Sequence, residues 1–458
     1  MSNAFSSLNL IPALEQNLES LGFTQMTEIQ AQSLPVILQG QDVIAQAKTG
    51  SGKTVAFGIG LLARLQVNKF RIQTLVMCPT RELAEQVAEE IRRIARLIHN
   101  IKVLTLCGGT PMGPQIQSLE HGAHIIVGTP GRIMDHLQRR RLNLKHVNTL
   151  VLDEADRMLD MGFEDEIDAV IANVPNNRQT LLFSATYPEA IDKMSHSIQR
   201  NPQRINVEST HTSAKIEQIF YEVEDSKRDN GVCRLLSHYQ PNSAIIFCNT
   251  KKETQELADY LATEQFSVLA LHGDMEQRER NQVLYRFSNQ SVCILVATDV
   301  AARGLDIKDV EVVISYNITP DPEVHVHRIG RTGRAGATGF ALTLCSPKEV
   351  ARANAIEDYL GQKISWKNVI GHIFHRNRIL GPQYTTLCID GGKKHKLRPG
   401  DILGALTKDA GIVGDDIGKI NITSFHAYVA IKARSVKAVM NHLRTGKIKG
   451  KTFKVRKF

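Results

Sequence analysis

The chain has 458 residues, of which 42% are apolar and 22% are charged, with 32 Gly and 15 Pro. This composition is typical of globular proteins and excludes a mostly disordered, collagen-like or coiled-coil chain. No apolar run approaches the roughly 18 residues that a membrane-spanning helix needs, so an integral membrane protein is not expected.

The excess positive charge is concentrated at one end of the chain. The formal net charge is +9, yet residues 381–458 contain 16 Lys and Arg against 5 Asp and Glu, whereas the remaining residues contain 40 against 42. A nearly neutral body with a basic end indicates a module that binds a polyanion, most often a nucleic acid. The alternative is a solvated basic tail.

The first residues and the cysteines bear on the cellular compartment. The first five residues show no basic segment followed by an apolar stretch, so no secretory signal is expected. The seven cysteines form no C-x-x-C pair, and most lie at or beside β-type apolar runs. This pattern favours buried free thiols in a reducing compartment over disulfides or zinc. We therefore expect a cytoplasmic protein with no membrane partner.

Short β-branched runs alternate with helical patterns from about residue 40 onwards, which is typical of α/β folds with parallel sheets. Polar or Gly-rich motifs follow most of these runs, and ligand sites in such sheets form beyond the carboxyl ends of strands. Residues 207–214 are polar without an apolar period and predict a linker between two domains whose cleft opens and closes. The predicted strands are Asp42–Ala45, Thr74–Cys78, Ile125–Val127, Thr149–Leu152 and Leu181–Phe183 in the first set, and Ala244–Phe247, Val268–Leu271, Cys293–Val296, Val312–Ser315 and Ala341–Cys345 in the second.

A third unit begins near Gly381. Its pattern predicts the order strand, helix, strand, strand, helix, strand, which is the split βαβ order of a ferredoxin-like or RRM-like sandwich. The predicted strands are Tyr384–Ile389, Ile417–Asn421, Ala427–Ile431 and Thr452–Arg456, and the predicted helices are Pro399–Leu406 and Ser435–Leu443.

Residues 47–54, Ala-Lys-Thr-Gly-Ser-Gly-Lys-Thr, follow a predicted strand and precede a helical pattern, which is the context of a phosphate-binding loop. Lys53 would reach the β- and γ-phosphates and Thr54 would ligate Mg²⁺, while Ala47 replaces the usual first glycine. A Gly-rich turn without a ligand is the alternative. The residues predicted to line the phosphates are Ala47, Lys48, Thr49, Gly50, Ser51, Gly52, Lys53 and Thr54.

Residues 153–156, Asp-Glu-Ala-Asp, end the predicted strand Thr149–Leu152. In phosphate-loop NTPases an acidic residue at this place holds Mg²⁺, and an adjacent carboxylate can orient the attacking water. We therefore assign Asp153 to the metal and Glu154 to water activation. An acidic surface turn is the alternative, but it would not explain the apolar strand before it or the upstream phosphate loop.

The full set of motifs resembles the DEAD-box family of RNA helicases, most closely the bacterial DbpA group. The first-domain motifs are Gly22-Phe23, Thr27–Gln30 with Phe5 upstream, Pro79–Ala84, Gly108-Gly109, Thr129–Arg132, Asp153–Asp156 and Ser184–Thr186. The second-domain motifs are Gln277-x-x-Arg280, Ala297–Asp306 and His327–Arg334. The similarity to the DbpA group rests on the basic third domain, with Leu387–Lys393 and Gly446–Lys451.

The resemblance implies two tandem RecA-like doubly wound parallel-sheet domains followed by a small RRM-like α+β RNA-binding domain. The expected boundaries are an ATP-binding domain at 1–206, a linker at 207–214, a helicase C-terminal domain at 215–362, a second linker at 363–383 and the basic domain at 384–458.

The resemblance also implies ATP and Mg²⁺ as cofactors and a role for each nucleotide-site residue. Gln30 would pair with the adenine edge and Phe23 would stack on the ring, although helix packing is the alternative for Phe5 and Phe23. Arg331 and Arg334 would act as arginine fingers on the γ-phosphate, a device worth about 10³–10⁵ in rate in related NTPases. Surface guanidiniums paired with carboxylates are the alternative for these arginines. The implied nucleotide contacts also include Phe5, Gly304 and Asp306, and the implied coupling residues are Ser184, Thr186 and Arg328.

A further set is implied to face RNA. Hydroxyls, guanidiniums and backbone amides after strand ends suit contacts to a sugar–phosphate chain, which position a strand without reading its bases. Each of these residues alone could instead be a helix cap or a surface charge. The set is Thr80, Arg81, Gly109, Thr129, Arg132, Gln277, Arg280 and Thr298.

The third domain departs from the usual RRM pattern. Residues 425–431, Phe-His-Ala-Tyr-Val-Ala-Ile, lack the basic-Gly-aromatic start, and Cys388 stands where a stacking aromatic is common. Base stacking on the sheet is therefore in doubt, and a basic C-terminal edge that includes Lys447, Lys449 and Lys451 is the predicted RNA surface. Folded RNA recognised by shape and phosphate would suit such an edge.

We therefore expect an ATP-dependent RNA helicase that locally unwinds structured RNA, with the third domain choosing the substrate. The resemblance implies 23S ribosomal RNA in pre-ribosomal particles as the partner, and nothing in the helix patterns indicates a coiled-coil seam, so a monomer is expected. A clamp that closes on RNA without separating strands and a passive RNA-binding protein are the alternatives. The motif set disfavours a DNA translocase.

Overall fold

The computed structural model describes residues 3–47, 50–207, 216–302, 310–333 and 338–458. These residues fall into two compact units, one up to residue 207 and the other from residue 216 onwards. The predicted linker at 207–214 lies, apart from Val207, outside the described residues. Among the described helices, none is long and apolar enough to cross a membrane.

The first unit is a parallel sheet of seven described strands with helices in the crossover connections, in the order β3-β4-β2-β5-β6-β1-β7. The strands are β1 (Val43–Gln46), β2 (Thr74–Met77), β3 (Val103–Leu106), β4 (Ile125–Gly128), β5 (Thr149–Asp153), β6 (Gln179–Ser184) and β7 (Gln203–Asn206). The helices are α1 (Pro12–Ser20), α2 (Glu28–Leu38), α3 (Lys53–Arg64), α4 (Arg81–Ile94), α5 (Met112–Glu120), α6 (Pro130–Gln138), α7 (Ala155–Asp160), α8 (Glu164–Ile171) and α9 (Glu189–Ile198).

Both faces of this sheet are buried. Val151 of β5 packs into the core on one face, and its neighbours Leu150 and Leu152 pack into the core on the other. Strands buried on two faces read as continuous apolar runs, which is why β1, β2, β4, β5 and β6 were predictable. Because the strands are parallel, their carboxyl ends lie along one edge, where the predicted motifs of this unit begin.

The second unit contains another parallel sheet, in the order β10-β11-β9-β12-β13-β8-β14. Its strands are β8 (Ile216–Glu222), β9 (Ala244–Cys248), β10 (Val268–Leu271), β11 (Ile294–Thr298), β12 (Val312–Ser315), β13 (Gly339–Cys345) and β14 (Ser365–Asn368). Its helices are α10 (Arg228–Tyr239), α11 (Lys251–Thr263), α12 (Gln277–Ser288), α13 (Asp299–Ala302), α14 (Pro322–Ile329) and α15 (Val350–Leu360).

The boundary predicted at residue 362 is wrong, because the second sheet continues beyond it. Strand β14 pairs with β8, with Ser365 opposite Ile219 and Asn368 opposite Glu222. The chain that follows lies along α10, where Arg234 Nη1 donates to the carbonyls of Ile370 (3.1 Å) and His372 (3.0 Å). The predicted linker at 363–383 is therefore attached to the second domain along much of its length.

The third domain completes the second unit with an antiparallel sheet in the order β16-β17-β15-β18. Its elements are β15 (Tyr384–Ile389), α16 (Pro399–Gly404), β16 (Ile417–Ile422), β17 (Ala427–Lys432), α17 (Val436–Thr445) and β18 (Val455–Lys457). The predicted order of elements is confirmed. One face of the sheet carries the core, with Leu387, Ile389, Val429 and Ile431 fully buried.

The other face of this small sheet is covered by the second helicase domain. Tyr428 of β17 stacks on Tyr285 of α12, with ring centroids 4.5 Å apart and planes inclined at 22°. The Thr386 hydroxyl bonds to Ser291 Oγ (2.6 Å) and accepts from Asn289 Nδ2 (3.2 Å). Thr386 and Cys388 are fully buried. The face on which an ordinary RRM stacks bases is thus occupied by protein, in agreement with the doubt raised by its sequence.

All seven cysteines are buried free thiols. Burial raises the pKa of the Cys107 and Cys233 thiols to about 12. The prediction of unpaired buried thiols is confirmed.

Candidate active site

The phosphate loop lies between β1 and α3, as predicted. Gly50 and Gly52 have φ angles of +86° and +98°, in the left-handed region that glycine adopts at little cost. Lys53 is the first residue of α3, is 6% exposed, and its Nζ donates to the Ala47 carbonyl (2.6 Å). The loop therefore places a buried ammonium and a helix N-terminus together, which suits phosphate. Ser51 and Thr54 are half-buried beside them, and Lys48 and Thr49 lie outside the described residues.

Gln30 connects the start of α2 to the phosphate loop. Its Oε1 accepts from the Thr27 backbone N–H (2.9 Å) and its Nε2 donates to the Gly52 carbonyl (3.1 Å). A Cβ at Gly52 would lie 2.4 Å from Gln30 Nε2, and the φ of +98° is one that side chains rarely adopt, so a larger residue there would be strained and would displace the Gln30 amide. A primary amide has two donors and two acceptor sites, so each end of Gln30 retains capacity for one more bond. The adenine contact of Gln30 stays a prediction.

Phe5 and Phe23 meet in the first unit, with ring centroids 6.1 Å apart. Phe5 is 3% exposed and packs in the core, so the structure places it where the packing alternative expects it. Phe23 is half-buried, and the Arg93 guanidinium lies 5.1 Å from its ring centroid. Of the two rings, Phe23 has the accessible surface that stacking on a base requires.

Asp153 and Glu154 lie at the end of β5 and have unlike environments. Burial raises the pKa of Asp153 to about 7, against the opposing charge of Lys53. Glu154 adopts φ +54° and ψ 53°, a left-handed conformation that costs a non-glycine residue about 1–2 kcal/mol. Its carboxylate lies 3.4 Å from Arg157 Nη1. This strained turn directs two buried carboxylates to the sheet edge that also carries the phosphate loop.

Asp156 joins this motif to the end of β6. Its Oδ2 accepts from the backbone N–H of Ala185 (3.1 Å) and from both the N–H (2.9 Å) and the hydroxyl (3.0 Å) of Thr186. Its own N–H donates to Ser184 Oγ (3.3 Å). Burial alone would raise the Asp156 pKa, but these hydrogen bonds and the charges of Lys53 and Arg157 hold it below its usual value. The predicted coupling residues Ser184 and Thr186 are thus tied to the Asp-Glu-Ala-Asp motif within one unit.

The predicted RNA-facing residues of the first unit gather at strand ends. Thr80 caps α4, accepting from Leu83 N (3.3 Å), and Thr129 is the N-cap position of α6. Arg81 Nη1 donates to the Gly109 carbonyl (3.3 Å), and Arg132 Nη1 donates to the Thr110 carbonyl (3.1 Å). The helix-cap alternative therefore holds for Thr80, while both arginines converge on the exposed Gly109 turn.

The predicted RNA-facing residues of the second unit lie at two adjacent helix starts. Gln277 begins α12, and Arg280 Nη2 donates to the Ala301 carbonyl (3.4 Å). Thr298 ends β11 and accepts from Ala301 N (3.3 Å). The Ala301 backbone therefore links the two motifs.

Arg328 is buried and forms its hydrogen bonds within the second unit. Its side chain is 1% exposed. The guanidinium donates from Nε and Nη2 to the Asp299 carboxylate, at 2.8 and 2.7 Å. Nη1 also donates to the Asn317 carbonyl (2.8 Å), and Nη2 donates to Asn249 Oδ1 (3.0 Å). These bonds connect residues that follow three strands of its own sheet, β9, β11 and β12. The coupling of Arg328 to the Ser184–Thr186 element stays a prediction. Arg331 is buried three residues further on, and its role as an arginine finger stays a prediction. Gly304, Asp306 and Arg334 lie outside the described residues.

Lys447, Lys449 and Lys451 are exposed at the turn between α17 and β18. Lys449 Nζ donates to the Lys396 carbonyl (3.0 Å), which brings this turn beside exposed Lys393–Lys396. We call residues 393–396 and 447–451 together the basic turns. They lie at the edge of the third domain, away from the covered face of its sheet.

A buried polar pair that no sequence motif indicated supports the Gly109 turn. Gln115 of α5 is 7% exposed and His136 of α6 is fully buried, with Gln115 Oε1 2.8 Å from His136 Nε2. Neither residue stands in a motif, and their contacts join separate elements. The Asp299 partner of Arg328 was also missed, although it directly follows Thr298.

Comparison with known proteins decides the family. Models described as DEAD/DEAH box helicase, helicase conserved C-terminal domain and DbpA RNA binding domain match residues 27–194, 227–336 and 386–457. The chain is 54% identical to the ATP-dependent RNA helicase DbpA of Escherichia coli strain K12 over 454 residues, which are 99% of each chain. The chain belongs to the DEAD-box RNA helicase family.

Other members agree with this assignment. The DEAD-box ATP-dependent RNA helicase CshA of Geobacillus kaustophilus is 45% identical over 354 residues, covering 77% of this chain and 76% of that protein. The structure of S. cerevisiae Dbp5 bound to RNA and ADP BeF3 matches with a TM-score of 0.74 at 29% identity, covering 80% of this chain and 96% of that one. The DEAD-box protein described here is an ATP-dependent RNA helicase with two RecA-like domains and an RNA-binding third domain.

Proposed function

We propose that this helicase acts on a structured element of 23S ribosomal RNA during assembly of the large ribosomal subunit, and that its third domain selects that element. The relative from E. coli aligns with this chain over 454 residues, a range that includes the segment matching the DbpA RNA binding domain. The substrate assignment comes from the resemblance to the DbpA group, and the structure supports it through the surface that the third domain leaves accessible.

The observation that carries the proposal is the division of the third domain into a covered face and basic turns. Thr386 and Tyr428 contact the second helicase domain and, like Cys388, are buried, so these positions of the sheet face are not free to stack bases. Six exposed lysines lie instead on the two adjacent basic turns. Such a surface suits phosphates of folded RNA, whose shape presents them in a fixed array.

The docked third domain would hold its RNA at a fixed place relative to the second helicase domain. The contact between them includes a stacked tyrosine pair and hydrogen bonds among Asn289, Ser291 and Thr386, with Lys419 Nζ donating to Ser288 Oγ (2.8 Å). Buried polar pairs of this kind fix one arrangement, because any other leaves them unpaired. Local unwinding would then occur at a set position beside the recognised element.

We also propose that Mg²⁺ accompanies ATP at this site. The buried Asp153 carboxylate and the Thr54 hydroxyl are hard oxygen donors beside the phosphate loop, which is the ligand chemistry that Mg²⁺ prefers. When bound, the ion would neutralise charge on the phosphates. Lys53 would orient the phosphate chain, and Glu154 would hold the attacking water and accept its proton.

We also propose a cellular location and an oligomeric state for the enzyme. Seven buried free thiols suit a reducing compartment, which supports a cytoplasmic location. We also propose that the protein is a monomer, since no helix pattern in its sequence indicates a coiled-coil seam.

Crosslinking of bound RNA in cells, followed by sequencing, tests the substrate. The wild-type protein should be enriched on one structured region of 23S ribosomal RNA, and a K447Q/K449Q/K451Q variant should lose that enrichment. A K193Q/K252Q/K348Q variant removes three exposed lysines elsewhere and serves as the control for charge. Enrichment on messenger RNA alone, or equal enrichment for all three proteins, would contradict the proposal.

A further inference from the structure

Gln115 is a buried side chain whose hydrogen-bonding capacity is fully used. Its Nε2 donates to the Cys107 carbonyl (3.0 Å) and to Thr110 Oγ1 (2.7 Å). Its Oε1 accepts from Arg132 Nη1 (3.2 Å) and lies 2.8 Å from His136 Nε2. Two donors and two acceptor sites are all that an amide offers, so each is occupied.

These contacts determine the state of His136. Arg132 can only donate, so the Gln115 atom facing it is the oxygen, and His136 must then donate from Nε2. His136 Nδ1 is buried without a hydrogen-bond partner, which is tolerable for an unprotonated ring nitrogen. Burial and the nearby Arg132 charge lower the His136 pKa, so the ring is neutral at neutral pH. The imidazole is therefore a fixed single donor to Gln115.

The pair supports the two groups of the first unit that are assigned to RNA. Arg132 Nη1 is held between Gln115 Oε1 and the Thr110 carbonyl (3.1 Å). The Gly109 turn is held at its base by Gln115, through Cys107 and Thr110, and at its tip by Arg81. Gly109 has φ +69° and is exposed, so the turn depends on these anchors for its shape.

We propose that Gln115 and His136 are positioning residues for RNA, which fix the Gly109 turn and the Arg132 guanidinium in the arrangement that receives the RNA backbone. The proposal rests on the assignment of Gly109 and Arg132 to RNA contact. Neither residue of the pair touches RNA itself, since both are nine-tenths buried or more. Both residues restrict the conformations of the Gly109 turn and the Arg132 side chain before RNA binds, which lowers the entropic cost of binding.

The test compares two substitutions of His136. His136→Phe keeps the ring volume and loses the donor, whereas His136→Gln places an amide nitrogen at the same reach and retains it. We expect the RNA concentration for half-maximal ATPase to rise about tenfold in His136→Phe, as loss of a hydrogen bond in such a network predicts. It should stay within about twofold of wild type in His136→Gln. The turnover at saturating RNA and the affinity for a fluorescent ADP analogue without RNA should be unchanged in both.

Gln115→Met, nearly isosteric and without hydrogen bonds, should raise the half-saturating RNA concentration at least as far as His136→Phe. Arg132→Ala tests the underlying assignment separately. If Arg132→Ala leaves RNA activation unchanged, the assignment of Arg132 to RNA is wrong. If Arg132→Ala weakens RNA activation while His136→Phe matches wild type, the positioning role is refuted. A parallel loss of nucleotide affinity in His136→Phe would also refute it, because a general loss of structure affects both ligands.

Discussion

The carboxylate of Asp156 accepts two hydrogen bonds from Thr186, one from its backbone N–H at 2.9 Å and one from its hydroxyl at 3.0 Å. Asp156 follows β5 and Thr186 follows β6, so the bonds join two adjacent strand ends. Asp153 and Glu154 precede Asp156 by three and two residues, respectively. A displacement of the Thr186 segment would therefore move Asp156 and, through it, Asp153 and Glu154, which are predicted to act on ATP.

Thr186→Val should separate ATP turnover from strand separation. Valine keeps the shape of threonine but loses the hydroxyl donor, while the backbone bond to Asp156 remains. Removal of this partly buried hydrogen bond should cost about 1 kcal/mol of stability. We expect RNA-stimulated ATPase to fall less than strand displacement, measured on one duplex. Thr186→Ser is the matched control and should resemble wild type; equal losses of both activities in Thr186→Val would contradict the linkage.

Lys53→Ala and Glu154→Gln should fail at different steps. Lys53→Ala removes the buried ammonium beside the phosphate loop, so ATP turnover should be abolished. Glu154→Gln keeps the size and the left-handed turn but removes the base, so ATP should bind without efficient hydrolysis and RNA should be held longer. Nucleotide binding, single-turnover hydrolysis and RNA dissociation measure these steps. Near-wild-type hydrolysis by Glu154→Gln would remove Glu154 from the mechanism.

Much of the nucleotide site was predictable because its residues are close in sequence and follow apolar strands. The central strands of both sheets were predicted directly from apolar runs such as residues 149–152 and 244–247. Two edge strands were not predictable: in β7 only Ile205 is buried, and β14 has no buried residue, so neither shows an apolar run. The edge strand β10, by contrast, was predicted from its apolar run. The boundary error at residue 362 follows from the missed β14.

The polar supports of the site were not predictable for a different reason. Arg328 and Asp299 are 29 residues apart, and Gln115 and His136 are 21 apart, with no local pattern to pair them. The contact between the second and third domains pairs Asn289 with Thr386, 97 residues further along the chain. The sequence indicated that the sheet face of the third domain has few of the usual stacking aromatics, but it could not indicate which residues cover that face.

Asp416 should stabilise the third domain in a pH-dependent manner. Arg434 and Ser435 donate to its carboxylate, and these bonds lower its pKa to about 2. A carboxyl with a depressed folded-state pKa contributes stability above its ordinary pKa of about 3.9, and this contribution is lost as the pH falls towards the folded value. Asp416→Asn should therefore lower the protection of peptides 416–445 in hydrogen exchange at pH 7, and this deficit should shrink at pH 3.5. Asp415→Asn, an exposed neighbour, is the control; a deficit of the same size at both pH values would contradict the assignment.

The basic turns should set both the salt dependence and the selectivity of RNA binding. Deleting residues 381–458 would test the third domain crudely, because it would also uncover Tyr285 and Ser291 of the second domain. The K447Q/K449Q/K451Q variant leaves that contact in place. Each lysine that neutralises a phosphate releases counterions, which contributes about 0.7–0.9 to the slope of log affinity against log salt. The variant should therefore lower the slope by about 2 on a structured fragment of 23S ribosomal RNA.

The same variant should lose its preference for that fragment over unrelated RNA, while high concentrations of arbitrary RNA still activate its ATPase. This follows because the first unit and the second helicase domain supply the nucleotide motifs and the remaining phosphate contacts, which position RNA without reading it. The K193Q/K252Q/K348Q control has the same net charge as the variant and should keep both the slope and the preference. If the control and the variant lose slope equally, the effect is one of overall charge. If the variant keeps its preference, selection of the substrate lies in the helicase domains and the assignment to the basic turns is wrong.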